Sequence, residues 1–295
     1  MDGLLIINKP VGCTSFHVVA QVRKKLYTQK VGHAGTLDPF ASGVLVVAVG
    51  KGLRLLEYLQ GVSKTYLLTI HLGKTSTTLD TEGIVVDTGV PLDITKEEIE
   101  NTIKKFLGES FQEPPKHSAL RVNGKRAYEL ARKGKEFELD KRKITIEQIA
   151  LVDCKLPQIT LRIKCSSGTY MRSLARDVGE ALHVGGYAVE LVRESVGGFC
   201  LDSAIGLDDI TIKSSNIGIS QVKLPYKNLY LSEQETLLFL NGVKLPLDAT
   251  IYPEGELFQV RATTGDKLLG VAYSAESFLK IKKIIAHIPI KPSVA

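Results

Sequence analysis

The chain has 295 residues, of which 44% are hydrophobic and 24% are charged, and its formal net charge is +6 with a pI near 9.0. This composition excludes a chain dominated by disorder and predicts one large domain followed by a small one. The positive excess favours a polyanionic partner such as nucleic acid, although proteins without such a partner also carry it.

The four cysteines are scattered through the sequence, with no Cys-x-x-Cys pair and no histidine at zinc spacing. This pattern predicts reduced thiols and no metal site. The apolar run near the N-terminus is too short for a signal peptide or a membrane span. The sequence therefore predicts a cytoplasmic protein that does not enter a membrane.

Short strands alternate with helices along most of the chain, which indicates a mixed α+β fold. Periodicity and caps predict these elements in chain order: a strand over 4–8, a helix capped by Thr14 or Ser15, strands over 43–50 and 64–73, a helix opened by the capping box Thr95–Glu98 and closed by Gly108, strands over 144–152 and 159–165, and a helix after Gly168. Alternation within the strand over 64–73 puts Tyr66 and Leu68 on one face.

The second half of the chain contains two further features. Residues 114–142 form a basic segment in which Lys and Arg alternate with aromatic and apolar residues. Residues 206–227 lose periodicity and contain turn-forming residues, so we predict a large domain over 1–227 and a small domain over 228–295. Turns at 241–242, 253–255 and 264–266 predict that the small domain is rich in β-strands.

The segment with the strongest chemical signal is Gly32–Gly43, with the sequence GHAGTLDPFASG, directly before a buried strand. Gly32 and Gly35 permit a positive φ and close backbone approach, and Pro39 restricts the residue after Asp38. Asp38 is therefore a candidate active-site carboxylate on a loop of defined shape. An Asp-Pro turn whose carboxylate accepts local N–H bonds would have the same sequence.

The stretch GHAGTLDPFASGVL resembles the signature of TruB-type pseudouridine synthases. Further matches occur in the family's order: KPVGCTS at 9–15, KTY at 64–66, DTEG at 80–83, PPKHSA at 114–119, GKRAYELAR at 124–132, CSSGTYMR at 165–172 and LVR at 191–193. The resemblance covers residue 3 to about residue 205. The tail more weakly resembles the small PUA-type RNA-binding domain that ends many members.

The resemblance implies a catalytic domain with a mixed, largely antiparallel sheet and a small β-rich PUA-like domain. It also implies isomerisation of uridine 55 in the tRNA T-arm to pseudouridine, by base flipping, with Asp38 as the nucleophile and without a cofactor or metal. From its chemistry alone, a carboxylate there could instead be an acid–base or electrostatic partner of the sugar. Assistance of tRNA folding would be compatible with this activity.

Three residues are implied to be catalytic: Asp38, Tyr66 and Arg172. Tyr66 would stack on the extruded base and take the C5 proton, and Arg172 would pair with Asp38 and orient it. Four further residues are implied to contact the substrate base or to fill the space it leaves in the RNA: His33, Asp80, Tyr170 and Leu191. Both assignments have an alternative without a catalytic role. Tyr66 could be a core residue of its strand, and Arg172 could be a solvated residue of its helix.

Seven basic residues are candidates for phosphate contacts, which position RNA without reading its sequence: Lys9, Lys64, Lys116, Arg121, Lys125, Arg126 and Arg132. The long basic segment fits a stand-alone bacterial-type enzyme. We therefore expect tRNA as the partner, no guide RNA and a monomeric protein.

Two other functional classes remain open from the sequence. A base-releasing glycosylase would also flip a base and use a carboxylate, but it would need an activated water and would release free uracil. A pure RNA-binding or chaperone protein would need the same basic face and no carboxylate at position 38.

Overall fold

A computed structural model describes residues 2–118, 120–122, 124–211, 214, 217–248 and 250–286. The α-helices are α1 (Ser15–Lys25), α2 (Leu56–Leu59), α3 (Lys96–Lys104), α4 (Ala127–Arg132), α5 (Met171–Ala181) and α6 (Glu233–Leu240). The strands up to the basic segment are β1 (Gly3–Lys9), β2 (Val31–His33), β3 (Ser42–Val49), β4 (Lys64–Leu72), β5 (Lys74–Ser76), β6 (Val85–Asp87) and β7 (Gly108–Gln112).

The remaining strands follow in chain order. Those before residue 220 are β8 (Arg121–Val122), β9 (Lys125–Arg126), β10 (Arg142–Lys155), β11 (Gln158–Cys165), β12 (Gly186–Val196), β13 (Phe199–Cys200), β14 (Ile205–Gly206) and β15 (Ile217–Gly218). Those of the C-terminal part are β16 (Lys227–Leu231), β17 (Leu245–Pro246), β18 (Leu257–Ala262), β19 (Lys267–Ala275) and β20 (Phe278–Ile284).

The central feature of the fold is a large mixed sheet in the order β14-β1-β3-β12-β4-β11-β10-β7. The pairs β1–β14 and β3–β12 are parallel, whereas the other pairs that the described residues form in this sheet are antiparallel. The predicted α+β class with a mixed, largely antiparallel sheet is confirmed. The parallel β3–β12 pair places the start of β3 beside Arg193, next to the Asp38 loop.

Side-chain alternation divides strands β1 and β3 between two apolar clusters. Leu5 and Ile7 pack with residues of helix α1, whereas Leu4 and Ile6 face the opposite cluster. Because both faces are covered, these strands are apolar at almost every position. Farther along the sheet, helices α3 and α5 pack on the face that includes Tyr66 and Leu68, as predicted from the strand period.

Several local predictions hold in detail. Thr14 caps helix α1 by accepting a hydrogen bond from the His17 amide, and Thr95 forms the predicted capping box with Glu98. The prediction that Gly108 closes helix α3 is wrong, because the helix ends at Lys104 and Gly108 begins strand β7. Strand β7 joins the sheet through its pairing with β10, a long-range contact that its own short sequence does not signal.

The C-terminal part forms a second sheet in the order β16-β18-β19-β20-β17. Helix α6 follows strand β16 and opens with a capping box between Ser232 and Glu235, a helix start that the sequence analysis did not identify. This β-rich unit agrees with the expected PUA-like tail. The boundary between residues 227 and 228 stays a prediction.

The second sheet packs on the large mixed sheet through a common apolar cluster. Leu268 and Val271 of strand β19 belong to the same cluster as Leu4 and Val46, and Val222 and Leu224 of the connecting segment complete it. Removal of the C-terminal strands would therefore expose apolar surface of β1 and β3.

Among the described helices, none is long enough and apolar enough to cross a bilayer.

The common cluster predicts that a core substitution in the tail destabilises the whole protein. Leu268 is fully buried, so Leu268→Ala should lower the free energy of unfolding by about 2–5 kcal/mol. Leu237→Ala, at a helix α6 position that is 62% exposed, is the matched control and should change it by less than about 0.5 kcal/mol. Urea unfolding followed by circular dichroism would check both, and a Leu268→Ala effect confined to a separate transition would contradict the common core.

Candidate active site around Asp38

Asp38 lies on the loop between strands β2 and β3. Gly35 in this loop has φ +98°, the left-handed conformation predicted for it. Gly32 instead lies in strand β2, where a Cβ atom would come within 2.9 Å of Leu53. One glycine therefore permits the backbone turn and the other permits close packing, and both support the loop that carries the carboxylate.

The N-terminal KPVGCTS stretch forms the floor of this loop. Ser15 Oγ accepts a hydrogen bond from the Leu37 amide at 2.9 Å and donates one to the Leu37 carbonyl at 3.1 Å. The Gly12 amide donates to the Pro39 carbonyl at 2.8 Å. Lys9 Nζ donates to the carbonyls of Pro10 and Cys13, both at 2.8 Å, and more weakly to that of Pro39.

The structure does not favour the predicted contact between Lys9 and an RNA phosphate. Lys9 is fully buried, and its ammonium is satisfied by backbone carbonyls of the loop floor. Burial lowers the pKa of the Lys9 ammonium. A lysine in a KPxG turn can face solvent or can close the turn from inside. The sequence is the same in both cases, so it could not distinguish these roles.

Arg193 of strand β12 holds the opposite side of the loop. Its guanidinium donates to the carbonyls of Val44 at 2.7 Å, Thr36 at 3.1 Å and Gly35 at 3.3 Å. The sequence analysis matched Arg193 to a family motif but assigned it no role. Arg193 lies two residues after Leu191 on a buried strand, so the sequence could have indicated that its side chain is buried. A buried arginine needs several hydrogen-bond acceptors.

The Asp38 carboxylate forms a bidentate ion pair with Arg172 of helix α5. Arg172 Nε lies 2.9 Å from Asp38 Oδ2 and Nη2 lies 3.1 Å from Oδ1. The Arg172 side chain is 6% exposed, whereas that of Asp38 is 33% exposed. The pair therefore orients Asp38 from the protein side and leaves part of its carboxylate open to the pocket.

Arg172 also binds two other segments. Its Nη1 lies 3.2 Å from Asp80 Oδ2 and donates to the Thr78 carbonyl at 3.2 Å. Its Nη2 donates to the His117 carbonyl at 3.1 Å. The second carboxylate, that of Asp80, also accepts from the Glu82 amide at 3.0 Å. Asp80 is thus a partner of Arg172, and the guanidinium links the Asp38 loop to the turn at 78–82 and to the start of the basic segment.

The start of the basic segment is also fixed to helix α5 by side chains. Gln112 makes two hydrogen bonds with the Tyr170 backbone, of 2.8 and 3.1 Å. Ser173 Oγ donates to the Glu113 carbonyl at 2.7 Å. The helix that orients Asp38 therefore also positions the segment that the sequence predicts to grip RNA.

These elements surround a cavity of about 780 Å³. This volume is within the usual range for small-ligand sites. Six of the seven residues implied to be catalytic or base-binding line it: Asp38, Tyr66, Asp80, Tyr170, Arg172 and Leu191. His33 lies half-buried on strand β2 at the start of the loop and does not line this cavity.

Tyr66 and Tyr170 provide the aromatic surface of the cavity, and Leu191 provides an apolar one. Tyr66 and Leu191 are buried, and burial raises the pKa of the Tyr66 phenol, while the charge of Arg193 acts in the opposite direction. Burial likewise raises the pKa of Tyr170. A planar base could pack against these groups beside the Asp38 carboxylate.

The candidate phosphate-binding residues divide by exposure. Lys64 is buried at the cavity wall and donates to the carbonyls of Val62 at 2.8 Å and Gln60 at 3.2 Å. Four others lie exposed on the basic segment: Lys116, Arg121, Lys125 and Arg126. Arg132 ends helix α4, and its side chain lies outside the described part of the structure.

Comparison with known proteins decides the family. The model of the TruB family pseudouridylate synthase N-terminal domain matches residues 23–171. The chain is 42% identical over 292 residues to the tRNA pseudouridine synthase B of Clostridium kluyveri, covering 96% of this chain and 99% of that protein. The chain belongs to the TruB family. It is therefore a pseudouridine synthase, an isomerase that acts on RNA.

Other TruB-family relatives and solved structures agree with this assignment. A tRNA pseudouridine synthase B from Burkholderia lata is 38% identical over 294 residues, covering 97% of this chain and 90% of the relative. A Cbf5-Nop10-Gar1 complex contains a chain with a TM-score of 0.72 and 23% identity, covering 97% of this chain and 85% of that chain. The similarity to the Cbf5-Nop10-Gar1 structure supports the fold.

The buried Lys64 ammonium predicts a pH-dependent contribution to stability. Burial lowers the pKa of Lys64 from 10.5 to about 8, so above pH 8 the folded protein loses a proton that the unfolded chain still binds. Above pH 8 the Lys64 amine is neutral in the folded protein, so the free-energy cost of burying its charge disappears. The free energy of unfolding of the unsubstituted protein should therefore rise relative to that of Lys64→Met as the pH rises from 8 toward 10.5. Urea unfolding of both proteins at about pH 7 and about pH 9.5 checks this. An unchanged difference would show that Lys64 keeps an ordinary pKa.

Proposed function

We propose that this protein isomerises uridine 55 in the T-arm of tRNA to pseudouridine, with Asp38 as the nucleophile. The observation that carries the proposal is the Asp38 carboxylate, held bidentately by Arg172 at 2.9 and 3.1 Å on the wall of a cavity large enough for an extruded base. The tRNA substrate is supported by relatives named tRNA pseudouridine synthase B that match 96–97% of this chain.

The reaction needs no net redox change. The bond between N1 and C1′ breaks, the uracil rotates while it is held, and C5 joins C1′. A carboxylate that attacks C1′ would form a glycosyl ester and release the uracil as an anion, and the ester would then be displaced by C5. Arg172 leaves a lone pair on each Asp38 oxygen available for this attack because its N–H groups approach from the protein side.

Tyr66 is the proposed acceptor of the C5 proton and the stacking surface for the base. It is buried, lines the cavity with Asp38, and lies on strand β4, which pairs with the strand that carries Leu191. Tyr170 and Leu191 complete the proposed uracil pocket. Asp80 is proposed to act through Arg172, whose orientation it fixes.

The exposed basic segment is the proposed grip on the tRNA backbone. Its root is bonded to helix α5 through Gln112 and the Glu113 carbonyl, so RNA held there would lie close to the cavity. Recognition without a guide RNA, by a monomer in the cytoplasm, is part of the proposal. His33 is the proposed group that fills the gap in the RNA stack, and a role in tRNA folding stays a prediction.

The position and the chemistry are tested together by converting a tRNA transcript with excess protein in a single turnover. We expect a mass-neutral change that stops reverse transcription at position 55 after carbodiimide labelling, and none in a transcript with cytidine there. Asp38→Asn keeps the side-chain volume but removes the charge, so the folded variant should bind tRNA at least as tightly and form product at least about 1000-fold more slowly.

Two outcomes would contradict parts of this proposal. Product at another uridine would refute the position while leaving the enzyme class intact. Substantial product from a folded Asp38→Asn protein, with deamidation excluded by mass spectrometry, would remove Asp38 from the mechanism. Thermal unfolding is the control, because the substitution leaves Arg172 without its carboxylate partner.

Substitutions at Tyr66 separate stacking from proton transfer. Tyr66→Phe keeps the ring and removes the phenol, so we expect near-normal tRNA binding and a single-turnover rate at least about 100-fold lower. Tyr66→Leu removes both and should also weaken retention of the flipped base. A near-parental rate for Tyr66→Phe would eliminate the phenol as the proton acceptor.

A further inference from the structure

Arg193 is a fully buried arginine that the proposed mechanism does not yet use. It lies on strand β12, directly opposite Tyr66 of strand β4 in the antiparallel register, and beside Gly43 of strand β3 in the parallel register. A Cβ atom on Gly43 would lie 2.3 Å from the Arg193 carbonyl oxygen, so a residue with a side chain would clash with strand β12 here. Arg193 also lines the cavity that contains Asp38.

The charge of Arg193 is compensated by dipoles rather than by a carboxylate. Its three acceptors are the carbonyls of Val44, Thr36 and Gly35. Among the described residues, the ion pairs formed by arginine include no partner for Arg193. A buried guanidinium without a counter-ion is costly, and an anion beside it would be stabilised.

The phenol of Tyr66 is the group beside Arg193 that can become such an anion. Arg193 and Tyr66 are register partners on paired strands and line the same cavity, and the positive charge of Arg193 favours the phenolate against the effect of burial. Two other ionisable groups act on the phenol, namely Asp38 and Cys165, and both disfavour the phenolate. Arg193 is therefore the group that favours the phenolate, which is the form of Tyr66 that can accept the C5 proton.

We propose that Arg193 is a positioning residue for the last step of the isomerisation, holding the Tyr66 phenolate oxygen toward C5 by a charge-assisted hydrogen bond. This inference rests on the proposed function of Tyr66. Once C5 has joined C1′, the phenolate takes the C5 proton and the C5–H electron pair forms the C5–C6 double bond. The C6–N1 π pair moves to N1, which takes a proton from water, and Tyr66 later returns its proton to water.

The same guanidinium also holds the Gly35–Thr36 end of the Asp38 loop, so a lower rate alone would not identify its role. Loss of loop support would slow the attack on C1′, whereas loss of the phenolate contact would slow removal of the C5 proton. Deuterium at C5 affects only the second of these steps directly. An increase in the isotope effect is thus a readout that a purely structural role would not give.

The experiment compares single-turnover rates of the full chain on tRNA transcripts made with ordinary or C5-deuterated uridine. Arg193→Gln and the conservative Arg193→Lys should each lower the rate by roughly 10- to 100-fold, with less loss for Lys, and should increase the isotope effect relative to the parent. Arg162→Gln is the matched control, because Arg162 lies on neighbouring strand β11 in an exposed ion pair with Glu194. It should leave both quantities unchanged.

Combination with Tyr66→Phe completes the test. If Arg193 acts through the phenol, Arg193→Lys should cost little further rate once the phenol is absent. An equal loss in both backgrounds with no increase in isotope effect, or parental rates for the folded Arg193 variants, would overturn this inference while leaving the proposed function intact. A parental rate for Tyr66→Phe alone would instead refute the proposed function of Tyr66. Thermal unfolding establishes which variants fold. If Arg193→Gln does not fold, the test relies on Arg193→Lys.

Discussion

The arrangement of the active site depends on one planar guanidinium that is shared by three segments of the chain. Arg172 binds both oxygens of Asp38, one oxygen of Asp80 and the carbonyls of Thr78 and His117. Without it, two carboxylates would approach each other at the edge of a buried cavity with no cation between them, which is unfavourable at low local dielectric. The fork geometry of arginine fixes direction as well as charge, so lysine could not replace these contacts.

A second constraint is the positive charge stored below the catalytic loop. Lys9, Lys64 and Arg193 are buried, and the hydrogen bonds described for their side chains end on backbone carbonyls. Carbonyl dipoles satisfy the donors without neutralising the charge, so Lys64 and Arg193 make the potential locally positive where they line the cavity. Such a potential suits the entry of a nucleotide with its phosphates and stabilises anions that form on the base or on a neighbouring phenol.

Much of this organisation could be read from the sequence because it is local. The alternation in 64–72 placed Tyr66 and Leu68 on one face, and the glycines around Asp38 indicated a shaped loop. The burial of Lys9 and the acceptors of Arg193 could not be predicted, because they depend on contacts such as that between Arg193 and Val44, 149 positions apart in the chain. Helix α6 was missed although the capping box between Ser232 and Glu235 is a local signal for a helix start, because its short apolar run is also compatible with a strand.

The common apolar cluster between the two sheets has a consequence for how the protein selects its substrate. Leu268 and Val271 pack in one cluster with Leu4 and Val46. The C-terminal unit is therefore held against the large sheet by this packing and not by its connecting segment alone. Its separation from the Asp38 cavity is set by side-chain packing. Any RNA that contacted both units would therefore have to present two surfaces at one fixed spacing.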